Sequence, residues 1–179
     1  MTTKTKPALR RYKHISGVHV TSDFSDENDM RFRYRLEIAL KAPSLQGRIA
    51  CVVMQNPSYA DEDVADKSIQ FMEKVVFQKN FPGLHQITRL IVVNQFARIQ
   101  TTGFEDLSRD IGSRNNSVIK AALKKSEVII LAWGVTNKFE ERKAFVLGEL
   151  GKLKGKQLFK TRMHPARGRF DGFIQPFNF

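Results

Sequence analysis

The chain has a single cysteine, Cys51, in 179 residues. An internal disulfide is therefore excluded, and the apolar run around this residue reads it as a buried, inert thiol. Histidine is also sparse. His14, His19, His85 and His164 are scattered, and no zinc-type spacing joins them to each other or to the cysteine. The expectation is a protein with no metal and no other cofactor. Long apolar runs are missing too: the longest falls far short of the ~20 residues that a bilayer-crossing helix requires, and no signal-peptide pattern opens the chain. These absences point to a cytoplasmic protein that does not enter a membrane. Acidic residues are the last scarcity. Eighteen Asp and Glu face thirty Lys and Arg, which leaves a net charge of +12 and a pI near 10.0.

With 41% apolar and 27% charged residues the chain has ordinary globular composition and fits one domain with a sizeable core. The positive excess favours a polyanionic partner, because phosphates release condensed counterions when basic side chains replace them. Nucleic acid is the expected partner, with DNA ahead of RNA. Part of the charge sits in a basic leader, residues 1–13, where Lys4, Lys6, Arg10, Arg11 and Lys13 crowd together. Residues 14–179 read as a single α/β domain. At the far end Arg162, Arg167 and Arg169 interleave with Phe170, Phe173, Phe177 and Phe179. That pattern suits unstacked nucleotides, and equally a terminal arm that anchors its rings on the core.

Alternation with period two marks strands at Val18–Thr21 and Arg31–Ile38, with the polar stretch Ser22–Asp29 as the loop of a long hairpin. On the second strand Arg31, Arg33 and Arg35 share one face, expected to be wet, opposite Phe32, Tyr34, Leu36 and Ile38. After a turn at Ala42-Pro43-Ser44 strands and helices alternate: strand Arg48–Gln55, helix Lys67–Asn80 with Asp66 as its N-cap, and strand Arg89–Val93. Helix Ser113–Lys125, strand Glu127–Ala132, helix Asn137–Leu153 and strand Gln157–Lys160 follow. This order predicts a three-layer α/β/α fold with a mainly parallel four-stranded sheet plus an N-terminal β-hairpin.

Parallel strands bring their C-terminal ends to one side, which is where open α/β sheets bind ligands. Four polar segments fall at such ends: Asn56 to Asp61, Asn94-Gln95-Phe96, Trp133-Gly134 and His164-Pro165. Pro57 stiffens the first turn and holds Asn56 extended, a fit arrangement for positioning water or substrate. Ser58 either caps the next turn or donates into the crevice; no Gly-x-Ser-x-Gly elbow surrounds it, so it is not read as a nucleophile. Asp66 has a capping duty and Asp61 has none, which makes Asp61 the candidate general base. His164 serves as an acid, an electrostatic stabiliser or a hydrogen-bonded structural residue. Trp133 and Phe96 are candidate stacking walls, and Asn94 either bonds a ligand or stitches loops. Arg114, Asn115 and Asn116 open a helix, where an anion is favoured.

Taken in order, Met54-Gln55-Asn56-Pro57-Ser58-Tyr59-Ala60-Asp61, Val93-Asn94-Gln95-Phe96-Ala97, Ile111-Gly112-Ser113-Arg114-Asn115-Asn116, Trp133-Gly134 and His164-Pro165 resemble the elements of domain of unknown function family 1643. That resemblance supplies positions and no reaction. A more distant one is to uracil-DNA glycosylases, which carry a motif after the first strand of a four-stranded parallel sheet, a W-G-like element later and an H-P element near the end. It implies that Asn56 orients the attacking water and that His164 steadies charge on the leaving base. Here Ser58 stands where the glycosylase motif G-x-N-P-G has its second glycine, and Ala166-Arg167 stand in place of the end of an H-P-S-P loop. Three functions are consistent with this: a hydrolase that cleaves the N-glycosidic bond of a flipped base, a non-catalytic nucleic-acid-binding module, or an enzyme for free modified nucleotides.

Overall fold

Along strand β3 (Arg48–Met54), Ala50, Val52 and Met54 alternate with Cys51 and Val53, and both sets are buried. A strand with two dry faces has to lie inside a sheet covered on both sides. In the computed structural model, which describes residues 12–43, 47–79, 81–100, 108–135, 138–169 and 171–178, β3 is the middle of a seven-stranded sheet. Its other strands are β1 (Val18–Glu27), β2 (Met30–Leu40), β4 (Ile87–Asn94), β5 (Val128–Leu131), β6 (Gln157–Thr161) and β7 (Ile174–Pro176). The order across the sheet is β1-β2-β4-β3-β5-β6-β7.

The helices fill the two sides. Helix α1 (Lys67–Glu73) packs Ile69 and Met72 against Ala50, Val52 and Met54, with Val75 and Val76 continuing the contact along a π-helical extension, Lys74–Gln78. Helices α2 (Asn115–Lys125) and α3 (Glu140–Gly151) pack Ile119, Leu123, Val146 and Leu150 against Cys51 and Val53 on the other face. The reason lies in connection handedness. From β3 the chain crosses to β4 on one side, then returns past β3 to β5 and β6 on the other. Right-handed crossovers that step in opposite directions deposit their helices on opposite faces. The reversal at β3 also opens a crevice at the C-terminal ends of β3 and β5, from which the chain leaves in opposite directions.

Four neighbouring strands, β4, β3, β5 and β6, run parallel as the alternating pattern predicts. The sheet is nonetheless mixed rather than mainly parallel and four-stranded. The N-terminal hairpin is part of it, because Leu36–Ala39 of β2 pair antiparallel with Arg89–Val92 of β4. The last aromatic stretch closes the opposite edge as β7, antiparallel to β6. Phe173 is buried there edge-on to Phe71 at 4.8 Å, so the arm anchors its ring on the core; Phe170 and Phe179 lie outside the described residues.

Two expectations about the hairpin are corrected. Ser22–Glu27 is strand, not loop: the turn is Asn28-Asp29, both at positive φ (49° and 60°), which is the two-residue geometry that matches strand twist. An edge strand has one face to water, so polar residues there do not signal a loop. The three arginines do not share a wet face either. Register slips between Asp23 and Phe24, which pair with Arg35 and Arg33, so Tyr34 is an extra residue in β2. Leu36 and Ile38 stay in the α1-side core, while Phe32 and Tyr34 turn to a small cluster beside Val118 of α2. Arg33 is thereby turned inward and is 1% exposed. Such a bulge inverts the facing of the residues before it while those after it keep theirs.

The end of the leader is held against α1. Tyr12 and Ala65 exchange backbone hydrogen bonds at 3.1 and 2.8 Å, and His14 Nδ1 pairs with Glu73, whose carboxylate is buried. Glu73 Oε2 also accepts from Ile15 N at 3.1 Å. Burial opposes the charged imidazole, but Glu73 and the Asp61 carbonyl outweigh it and raise the His14 pKa above 6.5. Folding therefore tightens the hold on this proton. The stability it contributes is complete below 6.5 and is lost as pH rises through the raised folded value. We expect the Tm to fall on the alkaline side of 6.5, and the fall to be absent in His14→Ala. Glu73→Gln breaks a buried pair; at about 3 kcal/mol it should lower Tm by roughly 10 °C in thermal unfolding.

Candidate functional site

At the C-terminal end of β3 the backbone ladder persists for two residues, with Gln95 N donating to Met54 O (2.9 Å) and Phe96 N to Gln55 O (3.0 Å). Pro57 then ends the pairing and the chain turns. Asn56 is held at this corner: its Nδ2 donates to Gln100 O at 2.6 Å and its Oδ1 accepts from Gln55 Nε2 at 3.3 Å. One Nδ2 hydrogen and one Oδ1 lone pair remain for a ligand or water. Ser58 donates to Asp66, and Asp66 Oδ1 accepts from Ile69 N at 2.8 Å, so a single carboxylate caps α1 and ties the turn to it.

Asn56, Pro57, Ser58, Asp66 and His164 line one cavity of about 380 Å³. Met54, Arg33 and Lys67 also form part of the wall, together with the aromatic rings of Tyr12 and Tyr59. Two segments remote in sequence, after β3 and after β6, thus meet where the strand ends converge. His164 begins a short 3₁₀ turn, Pro165–Arg167, and its Nδ1 accepts from Ala166 N at 3.2 Å. With Nδ1 an acceptor, the neutral ring carries its proton on Nε2. Burial pulls the His164 pKa below 6.5; nearby Asp66 opposes this and Arg167 adds to it. The ring is a neutral donor at physiological pH.

Trp133 and Gly134 reach the same rim after β5. Gly134 has φ +84°, and a Cβ there would stand 3.1 Å from His164 N. Absence of a side chain lets the loop lie directly on the histidine segment. Trp133 lines a neighbouring cavity of about 410 Å³ with Gln55 and Met163, and His164 belongs to the walls of both. A third hollow of about 420 Å³ continues past Trp133 to Lys143, Lys160 and Arg162. Val135 and Met163, at 83% and 38% exposure, are the exposed large apolar side chains among the described residues, and both stand on this rim.

The other candidates have different placements. Asp61 is not on the cavity wall: its Oδ1 accepts from Asp63 N (3.0 Å) and Val64 N (2.9 Å), closing its own turn. Asn94 and Asn115 are buried behind the wall, where Asn115 Nδ2 donates to the carbonyls of Asn94 (3.1 Å) and Gln95 (3.0 Å) and fastens α2 to the end of β4. Phe96 is buried on the α3 side, edge-on to Phe139 at 5.4 Å. Arg114 is exposed, pairs with Asp23 at 2.9 Å and covers the Tyr34 ring at 4.4 Å. The sequence reading missed Arg33, Lys67 and Tyr12 as wall residues, and it took Asp66 only as a cap. A cap assignment does not say where the second carboxylate oxygen goes, and the bulge that turns Arg33 inward leaves no mark on the alternation. Among the described residues no three His, Cys, Asp or Glu side chains are grouped to hold a metal ion, and no helix is long and apolar enough to cross a membrane.

Asp66 thus has a structural and an electrostatic aspect that substitutions can separate. Asp66→Asn keeps an N-cap acceptor and should leave Tm nearly unchanged, whereas Asp66→Ala should cost about 1 kcal/mol and lower Tm by a few degrees in thermal unfolding.

No curated protein and no solved structure matches the chain. The family described as "Protein of unknown function (DUF1643)" matches residues 33–166, which begin at the inward-turned arginine and end just beyond the cavity histidine, and the chain belongs to that family.

Proposed function

We propose that this protein hydrolyses the N-glycosidic bond of a nucleotide in nucleic acid, in the manner of uracil-DNA glycosylases. The observation that carries this reading is the shared wall: Asn56 after β3 and His164 after β6 face one cavity at the ends of parallel strands. A base extruded from the stack, at a cost of about a few kcal/mol, enters between them. Bond cleavage builds negative charge on the departing base and positive charge on the sugar. His164 Nε2–H, fixed by the Nδ1 contact, donates to the base as its charge develops. Asn56 orients the attacking water with the hydrogen-bonding capacity that Gln100 and Gln55 leave open. The carboxylate nearest the sugar is Asp66 rather than Asp61, because Asp66 lines the cavity. The net charge of +12 and the cations Lys143, Lys160 and Arg162 along the adjoining hollow supply the attraction for a phosphate backbone.

Duplexes and single strands bearing uracil, mismatched or modified bases, incubated with the protein and heated in alkali, report abasic sites as strand breaks. Asn56→Ala and His164→Ala should each lower the rate by about 100-fold or more. Asp66→Asn should also lose activity while keeping its fold, and Asp61→Asn should retain it. Equal breakage by wild type and Asn56→Ala removes the proposal. The folded protein holds His164 below its ordinary value, so both the activity and the stability that depend on the neutral ring persist above 6.5 and fail as pH drops through the lowered value. A pH–rate profile with its acidic limb below 6.5, lost in His164→Ala, is the expected signature.

A further inference from the structure

Arginine is almost never fully buried without a partner, because the cost of taking its charge out of water has to be met by an anion or a full set of acceptors. Arg33 is 1% exposed and meets neither condition. Its Nη1 donates to Ala60 O at 2.8 Å, its Nη2 reaches Asn94 Oδ1 at 3.5 Å, the outer limit of a hydrogen bond, and its Nε has no acceptor. Asp66 and Asp61 are near enough to favour its charge, yet neither forms an ion pair with it among the described residues. Both carboxylates are already committed, Asp66 to Ser58 and the α1 cap, and Asp61 to its own turn. The side chain nonetheless forms part of the cavity wall, beside exposed Lys67. On that wall two cations, Arg33 and Lys67, stand against one carboxylate, Asp66, with His164 neutral.

We propose that the cavity is completed by an oxyanion of its ligand, and that Arg33 is the residue that selects it. The ligand is a small organic molecule, or a nucleotide unit, that carries a phosphate or carboxylate. The flat rings of Tyr12 and Tyr59 on the same wall suit an unsaturated body attached to that anion, and 380 Å³ is within the ordinary size range of small-molecule sites. The bulge in β2 is the device that makes this possible, since regular pairing would leave Arg33 on the face of exposed Arg35. The inference concerns binding alone and holds whether or not a glycosidic bond is cut.

The test is titration calorimetry at low salt with deoxynucleoside 5′-monophosphates, the matching deoxynucleosides, inorganic phosphate and benzoate, on wild type, Arg33→Met, Arg33→Lys and Arg35→Met. Monophosphates should bind at least tenfold more tightly than nucleosides. Arg33→Met should abolish that preference, and Arg33→Lys should keep part of it. Arg35→Met removes the same charge from the surface and should change affinity less than twofold. Tighter binding of benzoate than of phosphate assigns the anion as a carboxylate, and the reverse as a phosphate. Arg33→Met also gives up the bond to the Ala60 carbonyl and lowers Tm, so binding separates the roles: a merely structural arginine loses monophosphate and nucleoside binding in parallel, whereas a selecting arginine loses only the preference between them. No binding of any anion by wild type, equal losses in Arg33→Met and Arg35→Met, or an unfolded Arg33→Met would each overturn the proposal.

Discussion

The Arg33 guanidinium donates to the Ala60 carbonyl, and through that bond β2 is joined to the loop that leaves β3. Ala60 is itself fully buried, so the loop cannot move away without exposing it. The turn from Asn56 to Asp66 is therefore pinned at three points: by Arg33 in its middle, by Ser58 and Asp66 at the start of α1, and by His14, whose Nε2 lies 2.9 Å from Asp61 O. A loop held in this way keeps the geometry of its polar groups without a ligand present, which is the condition for electrostatic preorganisation. Burial lowers the guanidinium pKa to about 10, and it remains cationic at neutral pH. The cavity thus holds a fixed positive charge against low-dielectric walls, where a charge acts more strongly than in water.

Two histidines govern this arrangement in opposite senses. His14 belongs to the fold as an imidazolium, because Glu73 and the Asp61 carbonyl both need a donor and the neutral ring has one N–H to give. His164 belongs to it as a neutral ring, because its Nδ1 must accept from Ala166. Protonating His164 or deprotonating His14 breaks one contact each, the first on the cavity wall and the second at the turn that carries Asp61. The intact site thus occupies a pH window bounded below by the lowered value of His164 and above by the raised value of His14. Nothing in composition announces such a window, since it follows from tautomers that the surrounding backbone fixes.

Much of the fold was legible because burial writes itself into periodicity. The two-faced apolar run of β3, the helical spacing of Ile69, Met72, Val75 and Val76, and the cap at Asp66 all correspond to observed structure. Boundaries moved by a few residues, as with the helix expected from Ser113 that begins at Asn115. The failures share one cause. Edge strands and bulges are set by pairing partners, and a one-dimensional pattern does not contain the partner. Polar Ser22–Glu27 reads as loop until β2 is known to bond it, and β7 is too short at three residues to show any period. The same holds at the site. Asn56, Pro57, Ser58 and His164 were readable as strand-end residues, but membership of the wall by Arg33, Tyr12 and Lys67 depends on a bulge, on an N-terminal segment folding back and on a helix start facing inward.

The extent of the family match bears on which part of the molecule does the work. Residues 33–166 hold every residue of the cavity wall except Tyr12. They exclude the whole of β1, the start of β2 and the whole of β7. The hollow that continues to Lys160 and Arg162 is completed by Gln175 and Phe177, which also fall outside. The matched stretch therefore coincides with the cavity, while the segments outside it add Tyr12 to its wall and Gln175 and Phe177 to the hollow beyond Trp133. Tyr12 is brought to the cavity by the His14–Glu73 pair, and Phe177 is brought to the hollow near Lys160 and Arg162 by the pairing of β7 with β6. Arg33 stands at the first matched position and in the wall at once, so the anion proposed for it would be bound within the matched stretch and not by the flanking segments.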